Sequence, residues 1–331
     1  MDETGRLAPV AVAVEQQRRA LLLDVLIRLV REKPLGTFGL IITILLLFTG
    51  IFADLAWLGM PDVGLAPYGF NETNPAHYLA KPSPVHPLGA DNLGRDVLSR
   101  VIYGARISVT VGLAATTLSA IIATIVGTLS GFIGGKFDLI MQRFVDGWMC
   151  FPGLVLLIAA ISLLGPGLWQ VIMVLGILYG IGSSRIVRGA VIGIKENVYF
   201  DAAVSIGCPT SRVITRHILP NIMAPIIILF STQVPAVILV EASLSFLGFG
   251  IPPPFPSWGG MLSGAGRSYM LMAPWLAIWP GVALSVVVYG INMFGDALRD
   301  LLDPRLRGGL GRYSGAKVQR KQKKRKKRAE A

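Results

Sequence analysis

The sequence contains few of the side chains from which metal and redox sites are built. Its 331 residues include two cysteines and three histidines, and no Cys-x-x-Cys pair occurs. Cys150 and Cys208 lie beside basic loops that we place in the reducing cytoplasm, so we predict no structural disulfide. His77 and His86 share one segment, but two histidines without a third clustered ligand are weak support for a metal site. The sequence therefore predicts no metal centre.

Charged residues are also scarce for a chain of this length. Only 15% of the residues are charged, whereas 53% are hydrophobic and the mean hydropathy is +0.62. An average soluble domain carries more charge and is less apolar. The composition therefore predicts an integral membrane protein that crosses the bilayer several times.

A nucleotide-binding loop is missing as well. The segment 131–137 superficially resembles a phosphate loop, which needs Gly, four residues, Gly-Lys and then Ser or Thr. Ser130 stands in the first glycine slot and Phe137 in the last. The chain is therefore predicted not to use ATP itself. The glycines at four-residue spacing over 127–135 instead predict a small face against which another helix packs closely.

Long apolar runs are what the chain has in place of charge. Runs of roughly 17 to 25 mainly apolar residues are long enough to cross the hydrocarbon core as helices. The six predicted spans are 36–58, 107–133, 148–164, 168–184, 223–246 and 275–294. Only Gly165-Pro166-Gly167 separates the third span from the fourth, so these two are predicted to form a helical hairpin.

The distribution of Lys and Arg predicts how these spans are oriented. Basic residues are concentrated in the leading segment 1–35, the loop 185–222 and the tail 301–331, which lie on one side if there are six spans. The positive-inside rule places that side in the cytoplasm, with both termini. The segments 59–106 and 247–274 are then external. They are rich in Pro, Gly and aromatics, and either dock a soluble partner or brace the bundle. The second to sixth spans form a transmembrane core over 107–300, which includes the loops 185–222 and 247–274.

Both ends of the chain are predicted to touch the lipid surface. The tail carries ten bases between Arg312 and Arg328, which account for most of the net charge of +12. A basic run next to a membrane helix is expected to lie on anionic headgroups. Nucleic acid is not the expected partner, because aromatic residues are nearly absent from the run. In the leading segment, Val10–Lys33 is predicted to form a helix on the inner surface. No removable signal peptide is expected, since a polar stretch precedes the first span.

A polar and basic segment between the fourth and fifth spans has a distinctive order of residues. It carries an acid, two alanines, a glycine, an Arg-His pair and a Leu-Pro pair: Asp201, Ala202, Ala203, Gly207, Arg216, His217, Leu219 and Pro220. Small alanines let a short helix lie close against another protein, and Gly207 permits the positive φ or the close backbone approach that ends such a helix. Pro220 is expected to begin the next helix, since its missing N–H is harmless in a first turn. The pattern predicts a helix-turn-helix knob outside the membrane.

This segment resembles the cytoplasmic coupling loop of ABC importer permeases. The general pattern has Glu where Asp201 stands and an apolar residue where His217 stands, but the Arg-His pair matches the peptide and nickel subgroup. Two further segments, 86–100 and 241–250, resemble the C-type permease subunits of dipeptide, oligopeptide and nickel importers. In the first of them the matching residues are His86, Pro87, Leu88, Gly89, Asp91, Gly94, Arg95 and Asp96. The resemblance extends from about Arg28 to Arg305.

The resemblance implies an all-α integral membrane protein with six transmembrane helices and the type I ABC importer permease fold. It implies a transport subunit, not an enzyme, in the cell membrane of a prokaryote. Its partners would be a homologous B-type permease, two ATPase subunits that use ATP and Mg, and an external solute-binding protein. The knob would sit in a cleft of the ATPase and transmit its closure. The cargo would be di- or oligopeptides, with nickel or another small solute as alternatives.

Glu241 is an ionisable residue within the fifth span. At 1.5 Å per residue from Met223 it lies about 27 Å along the helix, near the outer boundary. An acid there is costly unless it faces the bundle or the pathway and has a partner. Arg100 and Arg106, just before the second span, are the predicted partners in an external gate. Glu241 is also the one candidate for a coupling-ion site, which the alternative of an ion-driven secondary transporter would need.

Overall fold

The computed structural model describes residues 27–54 and 64–302. The basic tail beyond 302 and most of the leading segment, with its predicted surface helix, lie outside the described residues. Within those ranges the regular elements are helices, apart from an isolated β-bridge between Ala90 and Asp96. The main helices are α1 (Pro34–Ile51), α2 (Val97–Ile133), α3 (Gly135–Met149), α4 (Gly153–Leu164), α5 (Leu168–Lys195), α6 (Val198–Ser205), α7 (Leu219–Phe246) and α8 (Trp275–Leu302).

Within residues 27–54 and 64–302, five helices are long and apolar enough to cross a membrane. They are α1, α2, α5, α8 and the continuous helix Thr210–Phe246 that contains α7. Most of them extend beyond the predicted spans: α2 begins at Val97 instead of 107, and α5 continues to Lys195 instead of ending at 184. Hydropathy detects where the hydrocarbon ends, whereas a helix continues into water until a capping or breaking residue stops it.

The predicted third span, 148–164, is not one straight helix. Trp148 belongs to α3, and α4 begins only at Gly153, at an angle of 85° to α3. With 12 residues, α4 rises about 18 Å, which is short of the hydrocarbon thickness of about 30 Å. Pro152 explains the break, because proline lacks the N–H and disfavours helical backbone at the residue before it. The described part of the chain therefore has six spans only if the bent pair α3–α4 counts as one.

The loops fall at two ends of the bundle, as the predicted six-span topology requires. One end, named here the cap end, holds residues 64–96, the turn 165–167 that joins α4 to α5, and the segment 247–274. The other, the knob end, holds the junction between α2 and α3 and residues 196–218. The start of α1 and the end of α8 also meet at the knob end, where Lys33 Nζ donates to Asp300 Oδ2 at 2.6 Å.

Close packing of α2 on α5 forms the centre of the bundle. A Cβ added at Gly127 would lie 2.5 Å from the backbone oxygen of Ser184, and one at Gly131 would lie 3.0 Å from that of Arg188. These two glycines therefore let the helices approach closely, as their spacing predicts. Gly135 does not belong to this face, because it has a φ of +56° and starts α3.

Candidate functional site

The predicted knob is a short helix followed by a turn. The helix α6 ends at Ser205, and Gly207 follows with a φ of +74°. Two backbone bonds close the turn, from Gly207 N to Val204 O at 3.0 Å and from Cys208 N to Ala203 O at 3.2 Å. A Cβ at position 207 would meet nothing within 4 Å, so the backbone conformation and not crowding selects glycine there. The predicted positive φ at Gly207 is confirmed.

The knob is fastened to the bundle by an apolar cluster. Phe200 of α6 is buried with Val191 of α5 and with Val213 and Ile218, which precede α7. Burial of side chains of this size stabilises their contact by roughly 1.5–3 kcal/mol each. Movement of the knob is therefore expected to carry the ends of α5 and α7 with it.

The two alanines of the knob have different surroundings. Ala203 is buried against its own chain, with 7% of its surface exposed, whereas Ala202 and the neighbouring Asp201 are exposed. Both alanines were expected to contact another protein, but only Ala202 is exposed enough to do so. The small side chain at 203 instead lets α6 lie close to the bundle.

The knob exposes several large apolar side chains. Val198 and Ile206 each expose 84% of their surface, and Tyr199 and Val204 expose 44% and 53%. We name these four residues the knob surface. Sequence reasoning missed them because it looked for small residues, although the letters VYFDAAVSI already show apolar side chains around the alanines. Clustered exposed apolar residues in a polar loop are typical of a protein contact.

Pro220 lies in the first turn of α7, but α7 is not a separate helix, which corrects the prediction that a new helix begins there. A helical turn at Thr210–Arg212 and a π-helical stretch at Val213–Ile218 lead without a break into α7. Proline lacks an N–H and its ring crowds the carbonyl four residues earlier, that of Arg216, and the widened turns accommodate both effects. Arg216 and Pro220 are exposed, while His217 and Leu219 are half-buried.

Ion pairs join α3 to α5 beside the knob. Arg188 Nε of α5 donates to Asp138 Oδ1 of α3 at 2.6 Å, and Arg185 pairs with Asp146. Lys195 Nζ donates to the backbone oxygen of Phe132 at 2.8 Å. Sequence reasoning missed the pairs between α3 and α5, because their partners lie 39 and 50 residues apart.

The motif at 86–96 folds into a cap on the start of α2. Asp96 is the N-cap of α2, where its Oδ2 accepts hydrogen bonds from the N–H and hydroxyl of Ser99 at 2.7 and 2.8 Å. Its Oδ1 lies 3.0 Å from His86 Nδ1, and His86 Nε2 lies 2.8 Å from His77 Nδ1. Gly94 has a φ of +72°, and a Cβ there would overlap the backbone oxygen of Asn74.

Other residues of the motif tie the cap to α8. Leu88 packs with Val97 and Ala273, and Trp275 Nε1 donates to the backbone oxygen of Ala90 at 3.2 Å. A Cβ at Gly89 would collide with the Trp275 ring. Pro87 stays exposed. Nearly all of these side chains make contacts within the chain. The geometry therefore favours a role for this motif in bracing the bundle and not in docking a soluble partner.

Glu241 lacks the arginine partners predicted for it. Its side chain is buried, and its Oε1 accepts a hydrogen bond from Ser245 Oγ at 2.7 Å. Arg100 instead donates to Phe70 O at 2.9 Å, and Arg106 pairs with Asp54 Oδ1 at 2.9 Å. The predicted gate pairs are therefore wrong. Counting residues along the span gives the depth of a side chain in the membrane but not the face of the helix on which it lies. The two arginines face the cap and the end of α1.

A cavity of about 650 Å³ opens at the cap end. Three parts of the chain line it: the cap with the start of α2, the turn at Pro166, and the segment 247–274. Ser245, the hydroxyl partner of Glu241, also reaches its wall. The volume falls within the range of about 300–1,000 Å³ that is usual for small-molecule sites.

Comparisons with known proteins agree on one family. Residues 100–308 match the family described as binding-protein-dependent transport system inner membrane component. The chain is 38% identical over 277 residues to the dipeptide transport system permease protein DppC of Alkalihalophilus pseudofirmus, covering 84% of this chain and 88% of that protein. It is 37% identical to the oligopeptide transport system permease protein OppC of Bacillus subtilis, covering 90% and 94%.

A solved structure of the MetNI methionine ABC transporter also aligns, with 16% identity and a TM-score of 0.48, covering 62% of this chain and 96% of the other. The family match spans most of the described helices, and the relatives align over nearly their whole lengths. The chain therefore belongs to the inner membrane components of binding-protein-dependent transport systems, as a multi-pass C-type permease subunit of an ABC importer with that family's all-α fold.

Proposed function

We propose that this chain is the permease subunit of an ATP-driven importer that carries di- or oligopeptides across a prokaryotic cell membrane. The support for this cargo is that relatives aligned over 84% and 90% of the chain are named for dipeptide and oligopeptide transport. Nickel and other small solutes are the alternatives within the same machinery. A homologous B-type permease would complete the translocation path.

The knob surface is the feature that supports docking of an ATPase at this end of the chain. It combines highly exposed apolar side chains, Val198 and Ile206, with a turn fixed by Gly207 and an interior anchored at Phe200. A rigid projection that exposes large apolar side chains is suited to insertion into a cleft of a partner. Asp201 and Arg216 are exposed charges beside the knob surface, and opposite charges at the polar rim of the interface would pair with them. Two ATPase subunits, with ATP and Mg, would bind one knob each.

The orientation follows from the same proposal. The knob end would face the cytoplasm with both termini, because an ATPase must reach the knob and because the basic loops lie at that end. The cap end would then face outward and receive cargo from an external solute-binding protein.

A continuous helix offers the mechanical link between the two ends. The helix Thr210–Phe246 has 37 residues, and at 1.5 Å per residue it spans about 55 Å. It begins at the knob and ends beside the cap-end cavity, where Ser245 lines the wall. Closure of the ATPase pair would displace the knob, and this helix would move the cap end so that the pathway opens outward. ATP hydrolysis would then reset it.

Reconstitution of the whole transporter tests this proposal. The chain is combined in proteoliposomes with its partner permease, ATPase subunits and binding protein, and uptake of radiolabelled dipeptides, tetrapeptides and nickel is measured. We expect peptide uptake that requires ATP and the binding protein, with nickel not transported. Uptake driven by an ion gradient without ATP, as for a secondary transporter, would contradict the proposal. Transport of nickel without peptides would replace the cargo but keep the machinery.

A further inference from the structure

The cap-end cavity contains more positive than negative charge. Arg95 and Arg100 line it together with one carboxylate, that of Asp91. The side chains of these three residues are 12%, 10% and 5% exposed, so all of them are largely removed from water. A buried charge is costly unless an opposite charge or strong hydrogen bonds compensate it.

The single carboxylate is already occupied. Asp91 Oδ1 accepts the backbone N–H groups of Leu93 and Arg95 at 2.8 and 3.0 Å, and Oδ2 accepts Arg95 Nε at 2.7 Å. The same Oδ2 lies 3.8 Å from Arg100 Nε, which is the nearest approach of Arg100 to any carboxylate in the described ranges. Arg100 also donates one bond to Phe70 O at 2.9 Å. Within the described ranges, Arg100 therefore shares the carboxylate of Asp91 with Arg95, and the cavity wall carries one more positive than negative charge.

The remaining wall is mainly apolar, with hydroxyl groups and the amide of Asn92. Ile251, Phe255 and Leu276 supply hydrocarbon, and Ser263 and Ser268 supply hydroxyl groups. A ligand that fits this lining has a carboxylate to form a forked pair with a guanidinium, beside a short backbone and a side chain that contacts the apolar wall. The C-terminal residue of a peptide has this chemistry, and the cavity volume of about 650 Å³ accommodates a dipeptide.

We propose that this cavity binds the C-terminal residue of the peptide cargo, with Arg100 as the ligand of its free carboxylate. The inference rests on the proposed peptide transport and adds a selectivity site within the permease subunit. Arg95 positions Asp91, which in turn holds Arg100 in place. The apolar wall contacts the last side chain of the peptide.

Peptide binding to the intact transporter tests this site without transport. The complex of both permeases and the ATPase subunits is placed in lipid nanodiscs without nucleotide or binding protein. Equilibrium dialysis then measures binding of radiolabelled Ala-Phe and of its C-terminal amide. We expect the acid to bind about tenfold more tightly or better, since the amide cannot form the charge-assisted pair.

Two variants locate the site. Arg100→Gln is expected to weaken binding of the acid about tenfold while leaving binding of the amide nearly unchanged, and Arg100→Lys should restore part of the loss. Because Arg100 also contacts Phe70, its replacement could disturb the fold, so a second variant leaves the arginine intact. Ser268→Trp fills the cavity from an exposed position and should weaken binding of both the acid and the amide. The matched controls Lys81→Gln and Met270→Trp alter exposed residues outside the lining and should bind normally.

Several outcomes would overturn the inference. They are equal binding of acid and amide, no dipeptide binding at all, or unchanged binding in both Arg100→Gln and Ser268→Trp. If Arg100→Gln weakens attachment of the external binding protein but not of Ala-Phe, the cavity takes a carboxylate of that protein and the inference is wrong. The proposed function is judged separately: ATP-driven peptide uptake by the same wild-type complex would preserve it even where the cavity binds no peptide.

Discussion

Replacing Gly207 by valine perturbs the knob through its backbone alone. The residue has a φ of +74°, and a Cβ there would meet no atom within 4 Å. The cost is therefore the conformational penalty of a left-handed L-residue, about 1–2 kcal/mol, and it is larger for a β-branched side chain. A penalty of that size lowers the population of the native turn by a factor of roughly 5–30.

The expected consequence is a transporter that assembles in the membrane but couples poorly. Substrate-stimulated ATPase activity and peptide uptake are measured in proteoliposomes, and both should fall severalfold with Gly207→Val. Gly207→Asn should retain most activity, because asparagine tolerates positive φ better. Gly189→Val is the matched control, since Gly189 is an exposed helical glycine at the knob end of α5 with open space around it. Normal uptake and ATPase stimulation in Gly207→Val would refute the reasoning.

Three further predictions concern the cap, the ion pairs between α3 and α5, and the tail. Gly94→Ala should abolish assembly of the complex, because the added Cβ would overlap the backbone oxygen of Asn74 and the φ of +72° is unfavourable for alanine. Size-exclusion chromatography that shows a normally assembled complex would contradict this prediction. Asp138→Asn should lower the free energy of unfolding by about 1 kcal/mol, since the ion pair of Asp138 with Arg188 is part-exposed. An unchanged thermal unfolding temperature at low salt would contradict this prediction. Deletion of 317–331 should leave assembly and uptake largely intact, because this run is predicted to bind headgroups at about 1 kcal/mol per base; loss of ATPase copurification would instead make the tail a docking element.

Local features of the chain were predictable because their causes are local. Gly207 was identified from its place in the motif, and its positive φ is confirmed. The hairpin between the third and fourth spans follows from the turn at Gly165-Pro166-Gly167, and α4 and α5 do flank that turn. Composition alone was enough to predict a membrane protein, because mean hydropathy needs no knowledge of contacts.

Features that depend on distant contacts were not predictable in the same way. The pair of Arg188 with Asp138 joins residues 50 positions apart, and nothing in either neighbourhood indicates the other. The partners of Glu241 were wrong because depth along a helix does not fix the direction of a side chain. The bend at Pro152 was overlooked because the apolar run continues through it, although proline itself was a visible signal.

The proposed coupling depends most directly on the contact between the knob surface and an ATPase. Ile206→Glu places a charge on a side chain that is 84% exposed, so the fold of the subunit should not change. Leu271→Glu makes the same change at a residue that is 94% exposed at the cap end. Copurification of the ATPase subunits with the affinity-tagged permease pair is then quantified for each variant. We expect Ile206→Glu to lose most of the bound ATPase and Leu271→Glu to retain it, whereas full retention by Ile206→Glu would contradict the assignment of the knob as the coupling element.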